Sequence, residues 1–278
     1  MSTPEASAPE ETVPAHIDVS KASVARVYDA FLNGKDNYAV DREVLHRIQR
    51  VAPEATQLGW DNREFLIRAS RFIAAQTGIT QYLDCGSGLP TAENTHQVVQ
   101  RLQPDASVVY VDNDPVVLAH GRALLEENDR THLVGADIFE PREVLENETV
   151  RKYLDFSEPI AFYQCGTMHH YTGERYVEIM QEYIAALPSG SYVALSHFFD
   201  PETSEFSGLA RKMEEVFIHS PMGSGAFRTR AQIESMLQGL ELVEPGLELC
   251  ADWWPDGPRV KPLASVSYCI VGAVGRKP

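Results

Sequence analysis

The apolar positions of this chain follow two rules in succession. Before residue 79 they recur at helical spacing; after it, short apolar runs alternate with helical stretches. Val24, Val27 and Phe31 fall at i, i+3 and i+7, as one buried helix face does, and Asn33-Gly34 supplies a stop. Asn37 is placed to cap a second helix, with Val40, Val44, Leu45 and Ile48 inward and Pro53 closing it. A third helix is predicted over about Asp61 to Gln76, with Phe65, Leu66, Ala69, Phe72 and Ile73 inward. Gly78 ends it.

The second part reads as strands separated by helices, which implies a parallel sheet. The predicted strands are Tyr82–Cys85, Val108–Asp112, His132–Ala136, Ile160–Cys165 and Tyr192–His197. Helices are predicted at Ala92–Leu102, from Pro115, at Glu174–Ala186, near Ser204–His219 and at Arg230–Leu237. Leu240–Val243 and Ser265–Val274 form a final pair with no long helix between them, so they are expected to run antiparallel. The total is seven strands in an α/β fold. Residues 1–18, rich in Pro, Glu, Ser, Thr and Ala without apolar periodicity, are expected to be a disordered tail; 19–78 a helical extension; 79–278 a Rossmann-like domain.

Strand one ends in Asp84-Cys85-Gly86-Ser87-Gly88, and strand two in Asp112, 26 residues after Gly86. A crossover between parallel strands brings the glycine turn and the carboxylate together at the carboxyl edge of the sheet, where open α/β folds bind ligands. Glycines let a ligand approach the backbone, and the carboxylate is set to accept two ribose hydroxyls. The dinucleotide fingerprint wants a third small residue where this chain has Thr91 after Pro90, which disfavours a nicotinamide cofactor. S-adenosylmethionine has a ribose and no pyrophosphate, and fits better.

Net charge is −16, from 24 basic and 40 acidic residues, so a phosphate-tracking surface and a nucleic-acid partner are not expected. No run is long and apolar enough for a membrane span, and no secretory signal is visible. Cys85, Cys165, Cys250 and Cys269 are widely spaced, which reads as reduced thiols in the cytoplasm. No set of His, Asp and Glu has metal-ligand spacing.

Several strings are specific: Ser23-Val24-Ala25-Arg26-Val27-Tyr28-Asp29, Asn33-Gly34-Lys35-Asp36-Asn37-Tyr38, Asp84 to Thr91, Tyr110 to Pro115 and Gly239 to Gly246. Through them, over about residues 17 to 260, the chain resembles an actinobacterial family of S-adenosylmethionine-dependent methyltransferases. The resemblance implies the class I methyltransferase fold with residues 19–78 as a lid. It implies that Asp84, Gly86, Ser87 and Gly88 hold the methionine end of the cofactor, that Asp112 with Asn113 takes the ribose, and that Asp137 and Ile138 meet the adenine. Tyr28, Asn33, Gly34 and Asn37 would come from the lid. Where the family follows strand four with an aliphatic run before a Leu-His pair, this chain has Tyr163-Gln164-Cys165-Gly166-Thr167-Met168-His169-His170, next to the sulfonium in this fold. That difference implies an altered substrate or an altered use of the cofactor, with Gln164 on the cofactor.

Other readings stand beside these. On composition Tyr28 is a core residue of its helix, and Asp84 a cap of the following turn. His169 and His170 in an extended segment point opposite ways, so one of them is structural. His169 is the candidate base, with His197 a second. Trp253-Trp254 read as covering a sheet edge. The expected activity is in-line methyl transfer to a small molecule by a monomer or homodimer, releasing S-adenosylhomocysteine. A cofactor-binding protein that transfers no methyl (an intramolecular cyclase, a lyase or a sensor) is the alternative.

Overall fold

Tyr82 and Leu83 are neighbours on one strand and lie in different cores. Successive strand residues point to opposite faces, so a strand apolar throughout must be covered on both sides. The sheet built this way comprises β1 (Gln81–Cys85), β2 (Ser107–Asp112), β3 (Thr131–Gly135), β4 (Ala161–Cys165), β5 (Tyr192–Phe198), β6 (Glu241–Leu242), β7 (Glu248–Leu249) and β8 (Ile270–Arg276). Its order is β3-β2-β1-β4-β5-β8-β6, with β7 also paired to β8. The structure, a computed structural model, describes residues 18, 20–91, 93–124 and 128–278. Apart from Asp18, the expected N-terminal tail lies outside the described residues.

The first five strands are parallel, and β8 runs antiparallel to β5, β6 and β7. The sheet is therefore Rossmann-like with a late antiparallel pair, but among the described residues it has eight strands rather than seven. The additional strand is the two-residue β7, too short to leave a period in the sequence. Ser265–Cys269, expected as the start of the last strand, is a tight 3-10 turn. It buries Val266, Ser267 and Cys269 against the helices instead of pairing.

Ten helices among the described residues complete the fold: α1 (Val24–Phe31), α2 (Ala39–Val51), α3 (Thr56–Gln76), α4 (Thr95–Leu102), α5 (Pro115–Leu124), α6 (Pro141–Leu145), α7 (Glu148–Tyr153), α8 (Tyr176–Ala186), α9 (Ser207–Ile218) and α10 (Arg230–Met236). The short α6 and α7 were not anticipated; each is about a turn long, below the window in which helical periodicity shows. α3 starts five residues earlier than the apolar stripe indicated, at Thr56. α2 begins after Tyr38, whose N–H donates to Asp41 at 2.8 Å, so Asn37 is not its cap.

α3 lies across β4, β5 and β8. It approaches β8 so closely that a Cβ on Gly272 would sit 2.6 Å from the Phe65 ring. Phe65 meets Trp253 edge to face at 5.4 Å, and Trp253 is fully buried, a core residue rather than an edge cover. α1 packs on α2 and α3, and α2 on α9. One apolar cluster runs from Val27 and Phe31 through Ile48 and Phe65 to Tyr82 and Tyr163, so the N-terminal helices share their core with the sheet. Val24, expected inward, is 36% exposed at the lip of a cavity. No helix among the described residues is long and apolar enough to cross a membrane.

After β1 the chain crosses through α4 to β2; after β3 it returns through α6 and α7 to β4, on the other side of β1. The reversal opens a crevice above the carboxyl ends of β1 and β4.

Candidate active site

That crevice is a cavity of about 490 Å³, within the roughly 300–1,000 Å³ of small-ligand sites. Its floor is the loop after β1. Gly86 has φ +78° and Gly88 φ +64°, a left-handed backbone that glycine adopts without strain. The Gly86 N–H donates to the Val111 carbonyl at 2.7 Å, and a Cβ at this position would run into the Thr167 side chain. A Cβ on Gly88 would meet nothing within 4 Å, so its outer face is free for a ligand. The Asp112 carboxylate accepts from the Gly88 N–H and the Asp114 N–H, both at 2.9 Å. Burial pushes its pKa above the usual carboxylate range.

Asp84 sits deeper. It accepts from the Thr95 hydroxyl at 2.6 Å, and burial raises its pKa to about 6 despite that bond and the nearby Arg63 charge. Arg63 itself lines the cavity and donates to the Glu93 carbonyl at 2.8 Å. Asp137 and Ile138 border the opposite side, and the Asp137 carboxylate holds the Phe139 N–H at 2.9 Å.

Tyr28 descends from α1. Its hydroxyl donates to the Gly59 carbonyl at 3.1 Å and accepts from Asn62 at 2.9 Å; burial raises its pKa to about 12. The Asn62 carboxamide oxygen also takes the Ser196 hydroxyl, so one side chain joins β5 to α1. A Cβ on Gly166 would lie 2.8 Å from Asn62 Nδ2, which leaves room for glycine alone at the end of β4.

The strand-four loop differs from the extended segment expected. Met168–His170 is a 3-10 turn, in which successive side chains diverge by about 120° rather than 180°. Both His169 and His170 therefore line the cavity, with ring centroids 4.4 Å apart. His169 stacks on Phe198 at 3.7 Å, and its Nδ1 accepts the Phe198 N–H at 3.3 Å, which assigns the proton to Nε2. Burial holds its pKa well below 6.5. The ring is a neutral donor toward the cavity, and the nitrogen a base would use is already engaged. His170 Nδ1 pairs with the Ser224 hydroxyl at 3.0 Å, and burial lowers its pKa to about 3. His197 lies behind the cavity, bridging the Arg228 guanidinium (2.7 Å) and the Phe198 carbonyl (2.6 Å).

Tyr28, Asp84, Gly86, Ser87, Gly88, Asp112, Asn113, Asp137, Ile138 and His169 all line the cavity. Asn33, Gly34, Asn37 and Gln164 do not. The Asn-Gly-Lys-Asp-Asn string instead builds the turn that ends α1: the Asp29 carboxylate gathers the Asp36 N–H at 2.9 Å and the Asn37 amide at 2.8 Å. A Cβ on Gly34 would collide with that carboxylate, and Asn33 takes φ 59°. Gln164 accepts the Thr167 hydroxyl beneath the loop. Sequence reading missed Asn62 and Arg63. Projecting the Leu66 and Ala69 stripe back by four, seven and three residues reaches both, so two polar residues on an inward helix face were the available signal.

The lining fits S-adenosylmethionine. Asp84, Asp112, Asp114 and Asp137 with Arg63, the single arginine among the described lining residues, suit a ligand carrying two positive charges and one carboxylate. α4 begins only at Thr95, seven residues beyond Gly88, so no helix N-terminus follows the glycine turn as a pyrophosphate would require. Sheet order and cavity together define the class I methyltransferase arrangement. The chain belongs to the S-adenosyl methyltransferase family, whose profile matches residues 10–278, and S-adenosylmethionine is its cofactor. It is similar to the crystal structure of a candidate methyltransferase from Thermobifida fusca, with TM-score 0.88 and 39% identity, covering 94% of this chain and 96% of that one. A DUF574 family protein from Streptomyces avermitilis matches with TM-score 0.87 and 35% identity, over 94% and 99% of the two chains. No curated protein matches the chain.

Proposed function

We propose that the protein methylates a small organic acceptor by in-line displacement, and that α1 with the turn after it acts as a lid over the reacting pair. The supporting observation is that one cavity has two chemically distinct ends: a carboxylate- and glycine-lined end over β1, β2 and β3, and an uncharged, aromatic end over β4, β5 and β8. The bound cofactor supplies a methyl group on a sulfonium, a leaving group activated by its own charge. Asp112 would hold the ribose hydroxyls, Asp137 and Ile138 the adenine, and Asp84 and Arg63 the charged groups of the methionine end.

With the electrophile already activated, the chain's contribution is alignment and exclusion of water. Holding two reactants in line is worth effective molarities of about 10⁵–10⁸ M. Tyr28 and Asn62, fixed to each other and to Gly59 and Ser196, keep the junction of the two ends rigid. His169 would present its Nε2–H to the acceptor and orient it.

The test is product analysis after incubation with S-adenosylmethionine and cell extract. The expected product is S-adenosylhomocysteine with a methylated acceptor. Formation of methylthioadenosine, or of neither product by a protein that binds the cofactor, would overturn methyl transfer.

A further inference from the structure

The acceptor end of the cavity is a laminate of rings. His169, Phe198 and Phe217 lie nearly parallel, with Phe198 3.7 Å from His169 (14° between planes) and 5.4 Å from Phe217 (16°). Phe227 extends the stack from Phe198 at 4.8 Å and 19°. Phe31 closes on Phe217 at 6.2 Å, and Met222 and Ile270 fill the remaining wall. These residues come from α1, the turn after β4, β5, α9 and the loop after it, and the start of β8, elements separate from those that carry the carboxylates. Among the described residues lining this end there is no Lys, Arg, Asp or Glu. Both histidines there are held neutral by burial.

From this geometry we infer that the methyl acceptor is a flat, uncharged hydroxylated aromatic molecule, which slots beside the Phe198–Phe217 stack with its hydroxyl toward His169 and His170. The inference rests on the methyltransferase reading of the cavity. Aromatic rings, met edge to face or offset, favour planar aromatic ligands over saturated ones of the same size. A charged acceptor would be buried here without a partner, which is strongly unfavourable. His169 Nε2–H is a donor to the acceptor oxygen. In the tautomer that donates Nδ1–H to the Ser224 hydroxyl, His170 presents Nε2 as an acceptor for the hydroxyl proton. As the oxygen–methyl bond forms and the methyl–sulfur bond breaks, that proton leaves to His170 Nε2 and then to solvent. A weakly basic imidazole suffices, because an O-protonated aryl ether is far more acidic than an imidazolium. The products are an aryl methyl ether, S-adenosylhomocysteine and a proton.

The experiment uses full-length protein saturated with S-adenosylhomocysteine, whose binding is measured first; failure of that step would point to the cofactor reading rather than to the acceptor. Calorimetry then compares 1-naphthol and 9-phenanthrol with 1-naphthoate, 1-naphthylmethylamine and decahydro-1-naphthol. The hydroxyarenes should bind on the order of tenfold more tightly than each of the others, the margin that aromatic stacking and an unpaired charge supply. With S-adenosylmethionine they should yield the methyl ether by mass spectrometry. Met222→Glu, which sets a charge into this wall at a half-buried position, should abolish hydroxyarene binding and leave S-adenosylhomocysteine affinity unchanged. Preferred binding or methylation of the amine, the carboxylate or the saturated alcohol overturns the inference. So does a cofactor-bound protein with no hydroxyarene affinity.

Discussion

The Ser23 hydroxyl, at the entry to α1, donates to the Asp114 carboxylate just beyond β2. Ninety-one residues separate the two in sequence, and the bond closes the N-terminal helix over the loop that follows Asp112. Behind it, buried Asp41 takes the Ser23 N–H at 3.0 Å and Arg26 Nε at 2.9 Å, so the helix entry is held from two sides.

If α1 is a lid, that bond is its latch. A hydrogen bond to a charged group contributes about 1.5–3 kcal/mol. Ser23→Ala should therefore weaken cofactor binding by roughly tenfold or more. Hydrogen exchange over Tyr28 to Tyr38 should slow on cofactor addition in the native protein and slow much less in the variant. Equal protection with and without saturating cofactor would count against the lid.

Asp112 serves two purposes, and its removal should show both. With Asp112 holding the ribose hydroxyls as proposed, Asp112→Ala should weaken the cofactor on the order of 100-fold at about 1.4 kcal/mol per factor of ten. It also frees the Gly88 and Asp114 N–H groups it now holds. Exchange of those two amides should accelerate, while circular dichroism stays native. An unchanged dissociation constant would place the ribose elsewhere.

Asp84 predicts a pH signature. Burial raises its pKa from 3.8 to about 6, so in the cofactor-free fold it is largely protonated below pH 6. Its contribution to folding stability is present below the unfolded value near 3.8 and is lost as pH rises through about 6. A cation bound beside it favours the ionised form. Cofactor binding should then release a proton below pH 6, and affinity should climb by up to about tenfold per pH unit before levelling above it. Calorimetry in buffers of different ionisation enthalpy measures that proton. Asp84→Asn should abolish the release; its persistence in the variant would assign the proton to another group.

The two loop glycines should fail differently. Gly86→Ala drives a methyl into Thr167 and should destabilise the protein, lowering its melting temperature. Gly88→Ala meets open space, so the fold should lose only the left-handed backbone penalty of about 1–2 kcal/mol. With the cofactor approaching Gly88 as proposed, its affinity should nevertheless fall, because the methyl would stand in that open space. Normal cofactor binding by Gly88→Ala would show that the ligand does not touch this face.

His169→Ala should cut turnover of the acceptor by roughly tenfold, the value of one hydrogen bond to the substrate, with cofactor affinity retained. Because burial keeps the His169 pKa well below 6.5, the native pH–rate profile should show no inflection near 6.5 from this residue. An inflection there that vanishes in the variant would restore it as a titrating base.

The one-dimensional pattern settled what depends on local periodicity and chain order. Apolar runs alternating with helical stripes specified parallel strands. Gly86, Gly88 and Asp112 lie at or just beyond strand ends, and a crossover must bring those ends together, so all three line one cavity. Elements shorter than a period stayed invisible: the two-residue β7 and the single turns α6 and α7 exist because the sheet and α8 cover them. Tertiary structure alone decided which polar residues face the cavity. Asn33, Gly34 and Asn37 form a distinctive string, yet they satisfy Asp29 and a reversing backbone; Asn62 and Arg63 form none, yet a close helix–sheet contact points them inward. The histidine pair shows the reason most directly. Whether its rings diverge or converge depends on a 3-10 turn held by Arg228, which donates to the Met168 carbonyl from 60 residues away, and no local rule carries that contact.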